Sequence, residues 1–200
     1  IGEDSDYTML IDFGQNMAGW ADIRLEGQVG QKVVIRYGEV KGRDGSLDQR
    51  NLRLAKSRDC FILGRDGIQS YHPKFTYHGF RYVQIEMDPG IVIHSIEAVE
   101  VRSQVKRVAD FKSSDPWLNR LYEMGRRTEE SNLHSVPTDC PQRDERLGWV
   151  NDMTIRYENS VYNFEMLLFY EKWMRDLTDR QDKNGAIPDT APYFFGSRPG

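Results

Sequence analysis

The sequence predicts two parts of different class, an antiparallel β-sandwich followed by consecutive α-helices. Up to about Gln104 it reads as short β-rich runs separated by Gly, Asp and Asn, whereas after Ser103 the apolar residues recur at helical spacing. Its 200 residues, 38% hydrophobic and 12% aromatic, are enough to bury one large core or two small ones. The change of period puts the boundary in Val105–Ala109, dividing the chain into a β-sandwich domain over residues 1–107 and a helical part over 108–200.

Strands are expected at Tyr7–Ile11, Trp20–Leu25, Lys32–Tyr37, Asp59–Leu63, Gln69–Phe75, Phe80–Glu86 and Val92–Val101. Ala21-Asp22-Ile23-Arg24-Leu25 alternates small or apolar with charged residues, as a strand with one buried and one wet face requires. Gly27, Gly30, Gly42, Gly45, Gly64 and Gly67 fall between runs, where turns favour positive φ. Ser114-Asp115-Pro116 reads as an N-cap followed by Pro at the first helical position. It precedes Trp117, Leu118, Leu121, Tyr122 and Met124 at helical spacing, so a helix is expected over about Pro116–Asn132. A second helix is expected over Val150–Val161 and a third over Phe164–Asp182, with Phe164, Leu167, Leu168, Met174 and Leu177 on a broad face and Asn184-Gly185 as its stop.

Several function classes fall away on composition. A net charge of −4 with interspersed signs argues against a nucleic-acid surface. No stretch approaches the length of a membrane span, and the chain reads as soluble and globular. Ile1-Gly2-Glu3-Asp4 has neither the basic nor the apolar region of a secretory signal; without an initiator Met, the chain reads as a piece of something longer. Cys60 and Cys140 lie in unrelated contexts, so neither a disulfide framework nor a metal cluster is expected. His72 and His78 have no ligand spacing; His78 reads as structural, holding the turn before Gly79, and His94 and His134 as ordinary hydrogen-bonding residues. Walker, dinucleotide and zinc motifs are absent.

The segment Pro137–Asp152 packs four carboxylates, two arginines and a tryptophan into a stretch expected to be mostly loop. Glycoside hydrolysis needs a carboxylic acid to protonate the leaving oxygen and a second carboxylate to activate water or attack the anomeric carbon. Asp139, Asp144, Glu145 and Asp152 are candidates. Pro137 and Pro141 disfavour helix, placing Asp139 on an ordered loop with Glu145 near its end. Arg143 and Arg146 can fix carboxylates or hydroxyls, and Trp149 offers an apolar face to a sugar ring. On spacing alone a salt-bridged helix start with a core Trp weighs more, because charge-rich loops are usually solvated.

Asp139-Cys140-Pro141-Gln142-Arg143-Asp144-Glu145-Arg146-Leu147-Gly148-Trp149, with Asp152 after it, resembles the signature of bacterial α-L-rhamnosidases. These are inverting glycoside hydrolases with a six-hairpin (α/α)6 catalytic barrel. Asp12–Trp20, Arg36–Glu39 and Phe75–Val83 are similar to motifs of the β-sandwich that precedes that barrel, so the resemblance covers most of the chain in family order.

The resemblance implies a concanavalin-like sandwich followed by the first barrel helices, acting on rhamnose-containing glycosides without a cofactor. It further implies that Glu145 is the general acid, that Asp139, Arg143 and Asp152 bind rhamnose hydroxyls, and that Trp149 lines the pocket. Crowding by Asp139, Asp144 and Asp152 would raise the pKa of Glu145, while Arg143 and Arg146 would oppose this. Asp144 is expected to point elsewhere. Asn151 stands where the family commonly has Gly, and Asn tolerates left-handed backbone.

The family's general base is a Glu on a later hairpin, beyond this chain. Glu129, Glu130, Glu158, Glu165 and Glu171 fall in helix patterns and read as surface or hairpin contacts, so the chain alone is expected to be inactive. Asp189 and Tyr193 follow the third helix and are balanced between substrate contact and packing. A barrel cut after its first helices would expose Trp173, Phe164 and Phe169 and invite self-association. A non-catalytic carbohydrate-binding or interdomain module, or a six-hairpin hydrolase for another sugar, remain as alternatives.

Overall fold

The computed structural model describes residues 7–193. In chain order these form β1 (Tyr7–Gly27), β2 (Lys32–Gly38), β3 (Val40–Lys41), β4 (Leu47–Asp48), a 3-10 turn at Arg50–Leu52, β5 (Arg58–Ile62), β6 (Gly67–Tyr71), β7 (His78–Met87), β8 (Val92–Glu100), α1 (Pro116–Glu130), α2 (Val150–Asn163) and α3 (Leu167–Thr178). Two compact units result. One ends at Val101 and takes in Gln142–Asp144; the other holds Arg102–Pro141 and resumes at Glu145.

The two strands expected at the start of the chain are one strand of 21 residues. Tyr7–Asp12 runs antiparallel to Met87–Tyr82 of β7, and Met17–Gly19 to Phe80–His78, with a register shift between Asp12 and Met17. Gly14 lies in that shift at φ 77°, its N–H donated to Asp12 Oδ1 at 2.7 Å. Beyond it the strand changes partners, pairing with β8 from Gly19 to Glu26 and with β6 from Ile23 to Gly27. The residues that look like a turn are therefore a bulge, which bends a strand without ending it. The resulting six-stranded order is β5-β2-β7-β1-β6, with β8 also on β1.

Because β1 serves both halves of the sheet, its inward residues share a core with those of β2 and β7. Ala21, Ile23 and Leu25 of β1 join Val33, Ile35 and Tyr37 of β2 and Phe80, Val83 and Ile85 of β7, all buried. The expected alternation at Ala21–Leu25 holds, with Arg24 exposed. Each large apolar side chain so buried contributes about 1.5–3 kcal/mol. Expected strands β2, β5, β6, β7 and β8 are present, β6 ending at Tyr71 rather than Phe75; the β3–β4 hairpin was not foreseen. Of the six turn glycines, Gly30, Gly45 and Gly67 have positive φ and Gly27, Gly42 and Gly64 do not.

A polar group inside this core ties its strands together. The Tyr37 hydroxyl donates to Asp59 Oδ2 at 2.8 Å, and the His78 ring stacks on Tyr37 with centroids 4.0 Å apart. His78 Nε2 lies 3.2 Å from both Asp59 oxygens and its Nδ1 3.2 Å from Ser57 Oγ. Burial, then the Asp59 charge, pushes the Tyr37 pKa far up, so the phenol remains a donor. Ser57 and His78 are each 4% exposed, which makes their chain to Asp59 a cross-tie rather than a site. His78 is structural as expected, but it acts through Ser57 and Asp59, not by holding the turn at Gly79. On the surface, Arg81 donates twice to Asp12, at 2.7 and 2.8 Å, holding that carboxyl at about 2. Glu39 accepts from Asn16 and Asn51 at 2.7 and 3.0 Å.

In the helical unit, α1 starts as read: Asp115 accepts the Trp117 N–H at 2.8 Å and Pro116 is the first helical residue. Its apolar residues lie largely on the outer face. Trp117, Leu118, Leu121 and Met124 are exposed while Glu129 and Glu130 are buried. Glu130 pairs with Arg126 and Arg102, and Glu129 accepts from Ser160 of α2 at 2.6 Å. Phe164 does not open α3. Glu165 N–H donates to Lys106 O and Val108 N–H to Asn163 O, so the chain leaving α2 is extended at Phe164, which pairs with Arg107. Likewise α3 ends at Thr178, and Gly185 at φ 88° closes a separate turn on Asp182.

Trp173, Phe164 and Phe169 are buried, correcting their expected exposure; the exposed apolar residues of the helices include Leu118, Leu121, Ile155, Tyr162, Leu167 and Leu168. Among the described residues no helix is long and apolar enough to cross a membrane. Replacing Asp59 by Ala would leave the Tyr37 hydroxyl and the His78 ring without their acceptor. Each orphaned group costs about 1–3 kcal/mol. The urea midpoint of Asp59→Ala, followed by far-UV circular dichroism, should fall accordingly; an unchanged midpoint would show that the cross-tie does not hold the core.

Candidate active site

The carboxylate-rich segment is an ordered loop closed at its neck. Asp139 N–H donates to Leu147 O at 3.0 Å, and Leu147 N–H donates to Asp139 Oδ1 at 2.8 Å. Asp139 thus spends one carboxylate oxygen on its own loop. The chain turns back into the neck through Arg146 at φ 56°, a left-handed conformation uncommon for a residue with a Cβ. Arg156 of α2 donates to Thr138 O at 3.2 Å and braces the entry to the loop.

Inside the loop, Glu145 Oε1 accepts the Trp149 indole N–H at 3.0 Å. The ligand atoms of Asp139, Cys140 and Glu145 lie within 4.8 Å of one another, the two carboxylates half-buried and the cysteine buried. They are close enough to surround a cation, although protonating a leaving group requires none. Cys140 and Cys60 form no disulfide. Asp144 is exposed.

Immediately after the loop the chain is clamped to the segment that follows α3. Ala191 N–H donates to Gly148 O and Val150 N–H to Asp189 O, both at 2.9 Å, with Trp149 bridged to Thr190 between them. A β-carbon at Gly148 would stand 2.3 Å from Ala191 O, which also accepts the Trp173 indole N–H at 2.9 Å. Trp149, Asn151, Asp152, Thr154, Ile187, Pro188 and Asp189 line a cleft of ≈ 470 Å³ beside this clamp. Asp152 sits on the first turn of α2, where a negative charge meets the positive end of the helix. Asn151 is the second residue of α2 and has no positive φ, so the left-handed turn considered from sequence is not required there.

Asp139, Glu145, Trp149 and Asp152 all belong to the helical unit, whereas Arg143 belongs to the β unit through the stretch Gln142–Asp144. That stretch packs where Gly79 lacks a side chain: a β-carbon at Gly79 would stand 2.8 Å from Gln142 N. Asp189 bonds Val150 through its carbonyl and lines the cleft, whereas Tyr193 is half-buried and does not line it. Glu158, Glu165 and Glu171 are exposed; Glu129 and Glu130 are buried contacts rather than surface. His134 lies half-buried before the loop, and that burial lowers its pKa.

Residues 3–102 match the bacterial alpha-L-rhamnosidase concanavalin-like domain, and residues 106–199 the bacterial alpha-L-rhamnosidase 6 hairpin glycosidase domain. A curated alpha-L-rhamnosidase of Streptomyces avermitilis is 36% identical over 193 residues, 96% of this chain and 19% of the relative. The solved alpha-L-rhamnosidase of Dictyoglumus thermophilum superposes with TM-score 0.89 at 39% identity, covering 92% of this chain and 21% of that one. The Streptomyces avermitilis enzyme complexed with L-rhamnose gives TM-score 0.90 at 35% identity over 96% of this chain and 19% of its own. The chain thus spans about a fifth of the length of the relatives it matches.

Gly148→Ala forces the Ala191 carbonyl aside or the clamp open. Overpacking of this kind costs about 1–3 kcal/mol. The variant should unfold at lower denaturant than the parent; equal midpoints would mean that the clamp yields at no cost.

Proposed function

The chain belongs to the bacterial α-L-rhamnosidase family, and from that premise we propose that it carries the acid half of an inverting site that releases terminal α-L-rhamnose from rhamnosides. One observation carries this reading: Glu145 lies on an ordered loop with its carboxyl held by Trp149 and within 4.8 Å of the Asp139 carboxylate. Glu145 protonates the departing glycosidic oxygen. Asp139, Arg143 and Asp152 bind rhamnose hydroxyls, and Trp149 lines the pocket.

Negative charge from Asp139 and Asp152 favours the oxocarbenium-like transition state. The base that activates water stands roughly 6.5–9.5 Å from the acid in an inverting enzyme, and we place it outside these residues. In this division of labour, residues 1–107 form the β domain and 108–200 open the catalytic one, with the stretch after Arg102 strapped to the helices. No cofactor enters the chemistry.

The test is hydrolysis of an aryl α-L-rhamnoside by the full-length enzyme and its Glu145→Gln variant. General acid catalysis contributes about 10²–10⁴, so kcat should fall by that order while rhamnose binding changes little; undiminished turnover would remove Glu145 from the role. Isolated, the 200 residues should turn over no substrate and should self-associate through the apolar faces of α1–α3, where Ile155 is 81% and Leu168 77% exposed. Sedimentation across a concentration series should show mass growing with concentration. A monomer throughout would contradict the proposed association.

A further inference from the structure

The indole N–H of Trp149 meets Oε1 of Glu145 at 3.0 Å. An indole nitrogen can only donate, so Oε1 accepts in every state of the carboxyl. In a protonated carboxyl the carbonyl oxygen is the stronger acceptor and the hydroxyl oxygen carries the hydrogen. Resting on the role proposed above for Glu145, we propose that Trp149 is a positioning residue that keeps Oε1 as the carbonyl oxygen and so directs proton delivery through Oε2.

The contact is built into the backbone. Residues 145 and 149 are four apart, but no helix joins them, because α2 begins at Val150. The left-handed Arg146 and the Asp139–Leu147 neck bring the chain round instead. Trp149 is itself fixed, with Gly148 and Val150 hydrogen-bonded to Ala191 and Asp189 on either side of its bridge to Thr190. Asp139 and Cys140 also bring ligand atoms within 4.8 Å of this carboxyl.

In the step itself, the Oε2–H bond of Glu145 breaks as that hydrogen passes to the glycosidic oxygen. The bond from the anomeric carbon to that oxygen breaks with its electron pair going to the oxygen. Water attacks the opposite face, forms the new carbon–oxygen bond and gives its proton to the base. Glu145 is left as a carboxylate, and the hydrogen bond from Trp149 strengthens as it becomes charge-assisted. Trp149 therefore favours the transition state over the ground state, most where the leaving oxygen most needs a proton.

The test uses the full-length enzyme, its Trp149→Phe variant, which keeps an aromatic face and loses the donor, and Glu145→Gln. kcat is measured on aryl α-L-rhamnosides of rising phenol pKa and on an alkyl rhamnoside. Trp149→Phe should lower kcat roughly ten- to hundredfold on the poorest leaving groups, part of the about 10²–10⁴ owed to general acid catalysis, and only a few-fold on dinitrophenyl rhamnoside. The dependence on leaving group does not vary with the fraction of protein folded, so partial misfolding cannot imitate it. Should Trp149→Phe not fold at all, β-(3-benzothienyl)alanine at that position keeps the bicycle and lacks the N–H.

A uniform loss across the series, or a rise confined to KM, would overturn the proposal and leave Trp149 as a pocket wall. If Glu145→Gln itself shows no leaving-group dependence, it is the premise about the acid that fails, and the two failures are told apart within one experiment.

Discussion

A carbonyl oxygen that comes within 2.3 Å of where a β-carbon would stand leaves glycine as the one residue that position 148 accepts without displacement. Everything at the candidate site is indexed to that approach. It lets the Gly148–Val150 backbone lie against Asp189–Ala191 like two short strands, which fixes the start of α2 and the wall of the cleft in one move. Trp149 sits in the middle of the clamped stretch, and the carboxyl of Glu145 takes its bearing from Trp149. A loop rich in charges would ordinarily wander; this one inherits rigidity from a hydrogen-bonded ladder at one end and from the Asp139–Leu147 neck at the other.

The two units bury polar groups by the same rule and expose apolar ones very differently. Glu129 and Glu130 are tolerated inside the helical unit because Ser160, Arg126 and Arg102 satisfy them. Asp59 is tolerated in the β unit because Tyr37 and His78 do. Such ties add little net stability over a well-packed apolar substitute, but breaking one is costly, so they act as registers that keep their elements aligned. Outward, the β unit exposes apolar residues scattered among polar ones, Ile62, Ile68 and Val92 on strands and Leu54 and Phe75 between them, while α1, α2 and α3 present Leu, Ile, Tyr and Trp at helical spacing. Helices with paired carboxylates inside and apolar residues outside have the surface of an interface, and in the proposed function that interface belongs to the rest of the longer enzyme.

What could be read from the residues follows from how local the determining physics is. β2, β7 and β8 were visible because one buried and one wet face impose a period of two, and the start of α1 because Asp115-Pro116 is a self-contained cap. The continuity of β1 was not visible: Asp12 to Gly19 carries turn-forming residues, and only pairing with β7 shows that they form a bulge. The start of α3 was misplaced because Phe164 fits the helical period while its backbone is drawn out by Lys106 and Val108, distant in sequence. At the site, Asp139, Glu145, Trp149 and Asp152 came from residue types and a family resemblance. The bond from Trp149 to Glu145 could not have been foreseen, since it depends on an arginine adopting a left-handed conformation that arginine does not favour.

The unbroken run of β1 has a consequence in time. Its N-terminal residues pair with β7, Tyr7 with Met87, and its middle with β8, Gly19 with Glu100. β1 is thus made well before its partners, for its ladder with β6 can close only once Tyr71 has been added and those with β7 and β8 later still. At about 5–20 residues per second, that stretch of chain waits for several seconds with its longest strand unpaired. Contacts so distant in sequence also make for slow closure once the partners arrive. Whatever shields Tyr7–Gly27 during that interval matters to the yield of the protein as much as any bond in the finished fold.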